Sequence, residues 1–358
     1  MPDEVVLPLP NVYDLSRPAL TALITGWGYE RYRADQVWQW LYRRRVTNFE
    51  AMANLPSALR ERLAAETRLG GLTLVQEVRS SDGETRKYAF SLPDGQIIET
   101  VLMRYEGVRR TACLSTQAGC AMGCVFCATG QMGFARHLTA GEIVEQALHI
   151  ARVLEAEGHR LSNVVLMGMG EPFHNYDHTL EAIRRLADKD GLAIGQRHIT
   201  VSTVGLVPAI RRFAEEDLQV RLAISLHAAT DEERSALLPI NRRYPLADLL
   251  SAVRDYIQRT GRRVTFEWTL IAHENDTPQQ AHALGKLLHG LLCHVNLIPL
   301  NPTSGYHGEP SDRQRVERFV RILQDYGIPT TVRVRRGIDV NAGCGQLKTE
   351  ILRRDRPA

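Results

Sequence analysis

The 358-residue sequence predicts an α/β fold: a partial (βα)6, TIM-like barrel preceded by a helical accessory region and a small β extension. Three observations lead there. From residue 111 onward, short β-rich runs alternate with long amphipathic helical patterns, as expected of parallel strands joined by crossover helices. About six such units suit a partly closed barrel better than a small doubly wound sheet. Finally, 44% hydrophobic and 24% charged residues are near globular averages, which excludes disordered, collagen-like and low-complexity chains.

The elements follow in chain order. Residues 14–69 read as helical: Asp14 and Ser16 offer caps, and Val37, Trp38, Leu41 and Tyr42 fall on one stripe, closed by Gly70-Gly71. Residues 72–106 switch to strand-like runs separated by Ser80-Ser81-Asp82-Gly83 and Pro93-Asp94-Gly95, which are hairpin signals. The barrel strands are expected at 112–115, 163–167, 198–203, 221–226, 264–270, 295–298 and 331–334, and the helices at 140–156, 178–189, 208–216, 246–259, 278–291 and 312–326. No fixed-period repeat is present. The expected organisation is a helical accessory domain at 1–70, a hairpin extension at 71–110, the barrel at 111–345 and a tail at 346–358. In such barrels reactive residues gather at the C-terminal ends of the strands.

Charge leaves the partner open. Forty-four Lys and Arg against 41 Asp and Glu give +3, which excludes only a chain that holds nucleic acid by bulk charge. The first residues lack the basic, then apolar, pattern of a signal peptide, and no window approaches the ~20 apolar residues of a spanning helix. A cytoplasmic protein acting without membrane contact is expected. Six cysteines are too few for a disulfide scaffold, and three of them crowd between 120 and 127.

That crowding, Cys120-Ala-Met-Gly-Cys124-Val-Phe-Cys127, puts three thiols on one tight loop after the first barrel strand. A structural zinc site needs a fourth ligand, for which His137 is the nearest candidate. Three thiolates on a cubane iron–sulfur cluster leave one iron open. The next strand runs into Gly168-Met-Gly170-Glu171-Pro172, where glycines admit a ligand to the backbone and a carboxylate can pair an ammonium. Ser202, Ser225-Leu226-His227 and Asn301 stand at later strand ends. Recurrence on successive strands, more than any one residue, marks a site.

The cysteine loop, with Phe126 before its third cysteine, resembles that of radical S-adenosylmethionine (SAM) enzymes, and Gly170-Glu171-Pro172 resembles their SAM-amino segment. The segments TACLSTQAGCAMGCVFCATGQMGF, GMGEP, ISLHA, PINRRY, IPLNP and AGCGQL, with the N-terminal QVWQWLY, resemble the RlmN/Cfr family of RNA methyltransferases over nearly the whole chain. The resemblance implies one [4Fe–4S] cluster on Cys120, Cys124 and Cys127 with SAM at the open iron. It also implies SAM contacts from Gly170, Glu171, Ser202, Ser225, Leu226, His227 and Asn301.

The same resemblance implies an RNA-binding role for the accessory domain at 1–70 and methylation of adenosine carbon 2 in 23S ribosomal RNA and in transfer RNA; the alternative is the Cfr-type reaction at carbon 8. Carbon 2 is electron-poor and bears an unreactive C–H bond, so a thiolate is the feasible first acceptor of the SAM methyl group. The implied route methylates Cys344 with one SAM, makes a methylene radical with a second, joins RNA to Cys344, and releases it when Cys113 forms a disulfide with Cys344. A thiol-reducing system and an electron donor are the implied partners of what is expected to be a monomer. Glu99 matches the family position assigned to the proton acceptor, and its apolar flanks suggest a half-buried strand able to raise its pKa. For RNA phosphates the candidates are Arg104, Arg109 and Arg110, the set Arg333, Arg335 and Arg336, and Arg353, Arg354 and Arg356. Other rivals are a radical SAM enzyme with a small-molecule or protein substrate, and a zinc-stabilised RNA-binding module.

Overall fold

A computed structural model describes residues 9–303, 305–333 and 346–348. The N-terminal part holds helices α1 (Arg17–Gly26), α2 (Arg31–Trp38) and α3 (Ser57–Glu66). Ser16 caps α1 by accepting the Ala19 N–H, and Pro18 occupies the first turn, where no amide partner is needed. A π-helical turn, Gln39–Arg43, extends α2, and the rings of Trp38 and Tyr42 pack at 4.2 Å, tilted by 34°.

Three antiparallel strands follow, β1 (Thr73–Arg79), β2 (Thr85–Ser91) and β3 (Ile97–Arg104), and β3 pairs antiparallel with β4 (Arg110–Cys113). A small hairpin of β5 (Gln117–Gly119) and β6 (Phe134–His137) flanks the short helix α4 (Ala128–Gln131). Next come α5 (Ala140–Ala156), β7 (Asn163–Leu166), α6 (Tyr176–Ala187), β8 (Ile199–Thr203), α7 (Val207–Phe213), β9 (Arg221–Ser225), α8 (Asp231–Leu237) and α9 (Leu246–Thr260). The chain continues through β10 (Val264–Leu270), α10 (Pro278–Leu288), β11 (Cys293–Pro299), α11 (Arg313–Asp325) and β12 (Thr330–Val332).

One ten-stranded sheet results, in the order β1-β2-β3-β4-β7-β8-β9-β10-β11-β12, parallel from β4 onward. Helices cover its outer face, and the antiparallel strands continue its wall, as the alternating pattern predicts for a partial barrel. Buried strands such as Leu222-Ala-Ile224 are apolar on both faces because helices cover one side and the lumen lies on the other. α5 begins with a capping box in which Thr139 and Glu142 satisfy each other's amides, and twelve of its seventeen residues are buried.

The differences from expectation are local. The first barrel strand ends at Cys113, not 115, because Leu114 onward bends toward the β5–β6 hairpin. α10 stops at Leu288, where Gly290 turns the chain at φ 76°. α8 and the π turn were not foreseen, α8 being only seven residues long.

Candidate functional site

The β5–β6 hairpin presents the cysteine loop. Gly119 makes it possible: its φ is 81°, and a Cβ there would stand 2.1 Å from the Gly133 carbonyl that accepts the Cys120 N–H. Cys127 then caps α4, its N–H donating to the Cys124 carbonyl at 3.2 Å. All three cysteines line one cavity of about 280 Å³ at the C-terminal ends of the parallel strands. Burial pushes the Cys120 thiol up to about 12 and raises the Cys124 thiol well above its ordinary value, with the charge of Cys127 opposing ionisation of both.

These thiols fit a group that brings its own positive charge and accepts them as thiolates. Among the described residues no set of three or more His, Cys, Asp or Glu side chains is arranged to hold a single metal ion. Three cysteines lining one cavity fit a polynuclear cluster, whose separate metal atoms take one thiolate each. His137 is no fourth ligand: its Nδ1 accepts from Gln117 Nε2 at 3.0 Å, and its ring packs on Phe134 and His174.

Gly170, Glu171, Ser202, Ser225, His227 and Asn301 line the same cavity. At Gly170, φ is 102° and a Cβ would collide with Gln117 Cβ at 2.5 Å, so only glycine lets the two loops touch. Glu171 is buried, with Oε1 accepting the Phe173 N–H at 2.9 Å and Oε2 accepting the Val204 N–H at 2.8 Å. Burial, the largest influence, raises its carboxyl to about 7 against the pull of those amides. His227 adopts φ 60° and accepts the Thr269 N–H on Nδ1 at 2.9 Å, which leaves its proton on Nε2. Burial, then the charge of Arg234, holds it down to about 3, so the ring is neutral. Leu226 differs from its neighbours: its side chain is in the hydrophobic core and does not line the cavity.

Cys113 and Glu99 do not line the cavity; they stand on the adjoining β3–β4 wall of the sheet. Val101 and Met103 pack with Cys113, Val165 and Met167, and Met167 lines the cavity. Glu99 precedes Val101 by two residues and so shares its face. The expectation of a half-buried Glu99 is corrected: it is 2% exposed and paired with the fully buried Lys87 at 2.8 Å. Its Oε1 also accepts the Lys348 N–H at 2.7 Å. A charged partner, not an apolar pocket, surrounds it. Cys344 lies outside the described residues, as do Arg335, Arg336, Arg353, Arg354 and Arg356. Gln346, two residues beyond Cys344, lines the cavity and donates to the Pro302 carbonyl.

The arginine candidates divide. Arg333 lines the cavity and reaches Met103 Sδ at 3.5 Å. Arg104 is paired with Glu157, and Arg110 is spent on the carbonyls of Tyr105, Gly107 and Arg109, so these two brace a loop instead of forming an open patch. Arg109 stacks over Tyr105 at 4.3 Å.

Sequence reasoning missed three groups. Gln117 donates to both His137 and His174, and its Oε1 accepts the Glu171 N–H at 2.8 Å, which joins the cysteine hairpin to the Gly170-Glu171 turn. Lys87 is the counter-ion of Glu99. Glu267 lines the cavity and accepts from Asn296 Nδ2 at 2.7 Å, and burial raises its carboxyl. A lone carboxylate inside Val264-Thr-Phe-Glu-Trp-Thr-Leu270 was the available signal for Glu267.

Comparison with known proteins gives the family. Residues 114–283 match the Radical SAM superfamily, and residues 10–69 match the Ribosomal RNA large subunit methyltransferase N-terminal domain. A solved radical SAM methyltransferase from Sphaerobacter thermophilus is 51% identical, with a TM-score of 0.91 over 94% of this chain and 98% of its own. Barrel, cysteine loop and cavity together define a SAM-dependent radical methyltransferase, of a superfamily that works with a [4Fe–4S] cluster. Dual-specificity RNA methyltransferase RlmN 1 of Myxococcus xanthus is 58% identical over 97% of this chain and 96% of its own length. A probable RlmN of Chloroflexus aurantiacus is 51% identical over 94% and 92%. The chain belongs to the RlmN family of dual-specificity RNA methyltransferases.

Proposed function

We propose that this enzyme methylates carbon 2 of an adenosine in the peptidyl-transferase region of 23S ribosomal RNA and of the adenosine 3′ to the anticodon in transfer RNA. The observation that carries the reading is convergence: the three loop cysteines, Glu171 and the polar strand ends meet in one cavity, in a chain whose relatives share its full length. Cys120, Cys124 and Cys127 hold the cluster, which when bound supplies the electron that cleaves SAM to a hydrogen-abstracting radical.

The chain's own residues do the rest. Glu171 receives the SAM ammonium, an exchange that relieves its burial, while Ser202, Ser225, the Leu226 backbone, His227 and Asn301 orient the remainder. Apolar walls around Phe126, Met167 and Leu300 exclude water from the radical. Cys344 accepts a methyl group as thiolate and carries it to the base, so two SAM molecules are consumed for each methyl delivered. The radical adduct passes one electron to the cluster and gives up the carbon-2 proton; Cys113 thiolate then attacks the Cys344 sulfur, the bond from that sulfur to the RNA-bound carbon breaks with its electron pair going to the carbon, which takes a proton to become the methyl group, and a disulfide remains. A thiol-reducing system returns two electrons to that disulfide, and a separate low-potential donor serves the cluster. Glu99 takes the carbon-2 proton once Oε1 is released from the Lys348 N–H, with Lys87 as its standing counter-ion. The enzyme acts as a monomer in the cytoplasm, and residues 10–69 help seat the unstacked RNA loop.

Tryptic mass mapping of the Cys344 peptide from the isolated protein is expected to show an added methyl group. With RNA deuterated at carbon 2, the product is expected to lose the deuterium; its retention would overturn the carbon-2 assignment in favour of carbon 8. The C113A variant is expected to accumulate RNA-crosslinked enzyme, and normal turnover by that variant would remove the resolving role.

A further inference from the structure

Arg234 on α8 is completely buried, yet no carboxylate stands within ion-pairing distance of it among the described residues. Its guanidinium is instead spread over strand ends. Nε donates to the Leu226 carbonyl at 3.2 Å, one terminal nitrogen donates to Asn241 Oδ1 at 2.8 Å, and the other donates to the Val204 carbonyl at 2.6 Å and the Ser225 carbonyl at 3.3 Å. Val204 follows β8, and Ser225 and Leu226 close β9, so one fork ties together the two strand ends that form the cavity's polar rim. Asn241, from the Pro239-Ile-Asn-Arg242 turn, is fixed in turn by Asp231 and Ser235.

The same helix grips the cysteine loop. The Leu237 carbonyl accepts the Val125 N–H at 3.1 Å, and Leu237 and Leu238 pack against Met122, Cys124, Val125 and Phe126. The Arg234 charge acts on Cys124, and the anionic groups acting on Arg234 are Cys124 and the exposed Asp231. Burial lowers the guanidinium to about 10, which leaves it protonated at neutral pH. A buried cation without an ion-pair partner is costly unless an anion completes it. A [4Fe–4S]2+ core on three thiolates carries net −1, and one added electron makes it −2.

We propose that Arg234 is a positioning residue with two separable effects: its fork fixes the strand ends that cradle SAM, and its buried charge stabilises the reduced cluster, raising the reduction potential. This rests on the cluster reading above. One electron from an external low-potential donor enters the cluster; Arg234 neither loses a proton nor forms a bond.

The test is a dithionite titration of the anaerobically reconstituted enzyme, following the electron paramagnetic resonance signal of the reduced cluster, with equilibrium SAM binding measured alongside. R234M is expected to titrate at a more negative midpoint than wild type and to bind SAM roughly tenfold more weakly, about one lost charged hydrogen bond. R234K keeps the charge and loses the fork, so its midpoint stays near wild type while SAM binding weakens. An unshifted midpoint in R234M at full iron content overturns the electrostatic role, as does an R234K midpoint displaced as far as that of R234M. If R234M does not fold, R234K decides the positioning role, which unchanged SAM binding overturns. A wild-type protein that takes up no iron and sulfide removes the cluster reading itself, a result distinct from either.

Discussion

Two walls, one lining the cavity and one adjoining it, treat a carboxylate in opposite ways. On the β7–β8 side, Glu171 is buried with neutral partners, two backbone amides and the Thr203 hydroxyl, and its carboxyl is raised to about 7. On the β3 side, Glu99 is equally buried and already neutralised by Lys87. The first arrangement leaves a charge to be matched by something that arrives; the second is complete in itself. One wall is therefore built to bind a cation, the other to hold a preset charge pair beside Cys113.

The strongest way to break the comparison is to remove the cofactor from the first wall. C124A is expected to lose the cluster and all methylation while retaining the fold, checked by iron and sulfide content and by circular dichroism. Next in size, K87M strands a buried carboxylate on the second wall and is expected to cost about 3–5 kcal/mol, read by urea unfolding, whereas the double variant K87M/E99M recovers most of that loss. No comparable rescue exists on the first wall.

A pH experiment sharpens the contrast. With its carboxyl raised to about 7 in the unliganded protein, Glu171 is protonated below neutrality and ionised above it, so SAM affinity is expected to increase as pH rises through 7 and then level off. The same shift weakens the folded state: the penalty is absent below the ordinary glutamate range, grows by on the order of 1.4 kcal/mol per pH unit, and is complete above about 7. E171Q should flatten both curves, and an unchanged pH dependence of SAM binding in E171Q would show that another group titrates. The smallest effect is expected far from either wall. R17A frees Asp35, Asp188 and Asp190 at a partly exposed junction and should lower stability by only about 1 kcal/mol or less without altering SAM binding.

What was legible in the sequence follows the same division. The cysteine loop could be read because cysteines are rare and these three are close together, and the strand ends because helix and strand periods place them without reference to anything distant. Lys87, Gln117 and Arg234 could not be read so. Each acquires its meaning from partners that only the fold supplies: Gln117 from His174 and Glu171, more than fifty residues away, and Lys87 from the strand opposite. Glu99 shows the limit most clearly, since its apolar flanks pointed to half-burial and hid the lysine that decides its environment. Arg104 and Arg110 looked like an open basic cluster because sequence shows charge but not the carboxylate and carbonyls that absorb it.

α5 has a consequence for how the molecule comes apart. Its Glu142 pairs with Arg136 of the cysteine hairpin at 2.8 Å, Glu145 receives Asn11 and the Gly71 amide, and Gln146 bonds Thr100 and Ser115 on the wall of Cys113. Its C-terminal cap, Glu157, receives Arg86 and Arg104. Helix, hairpin and N-terminal segment should thus open to solvent exchange as one cooperative unit, so that loosening the accessory helices also loosens the loop that carries the three cysteines.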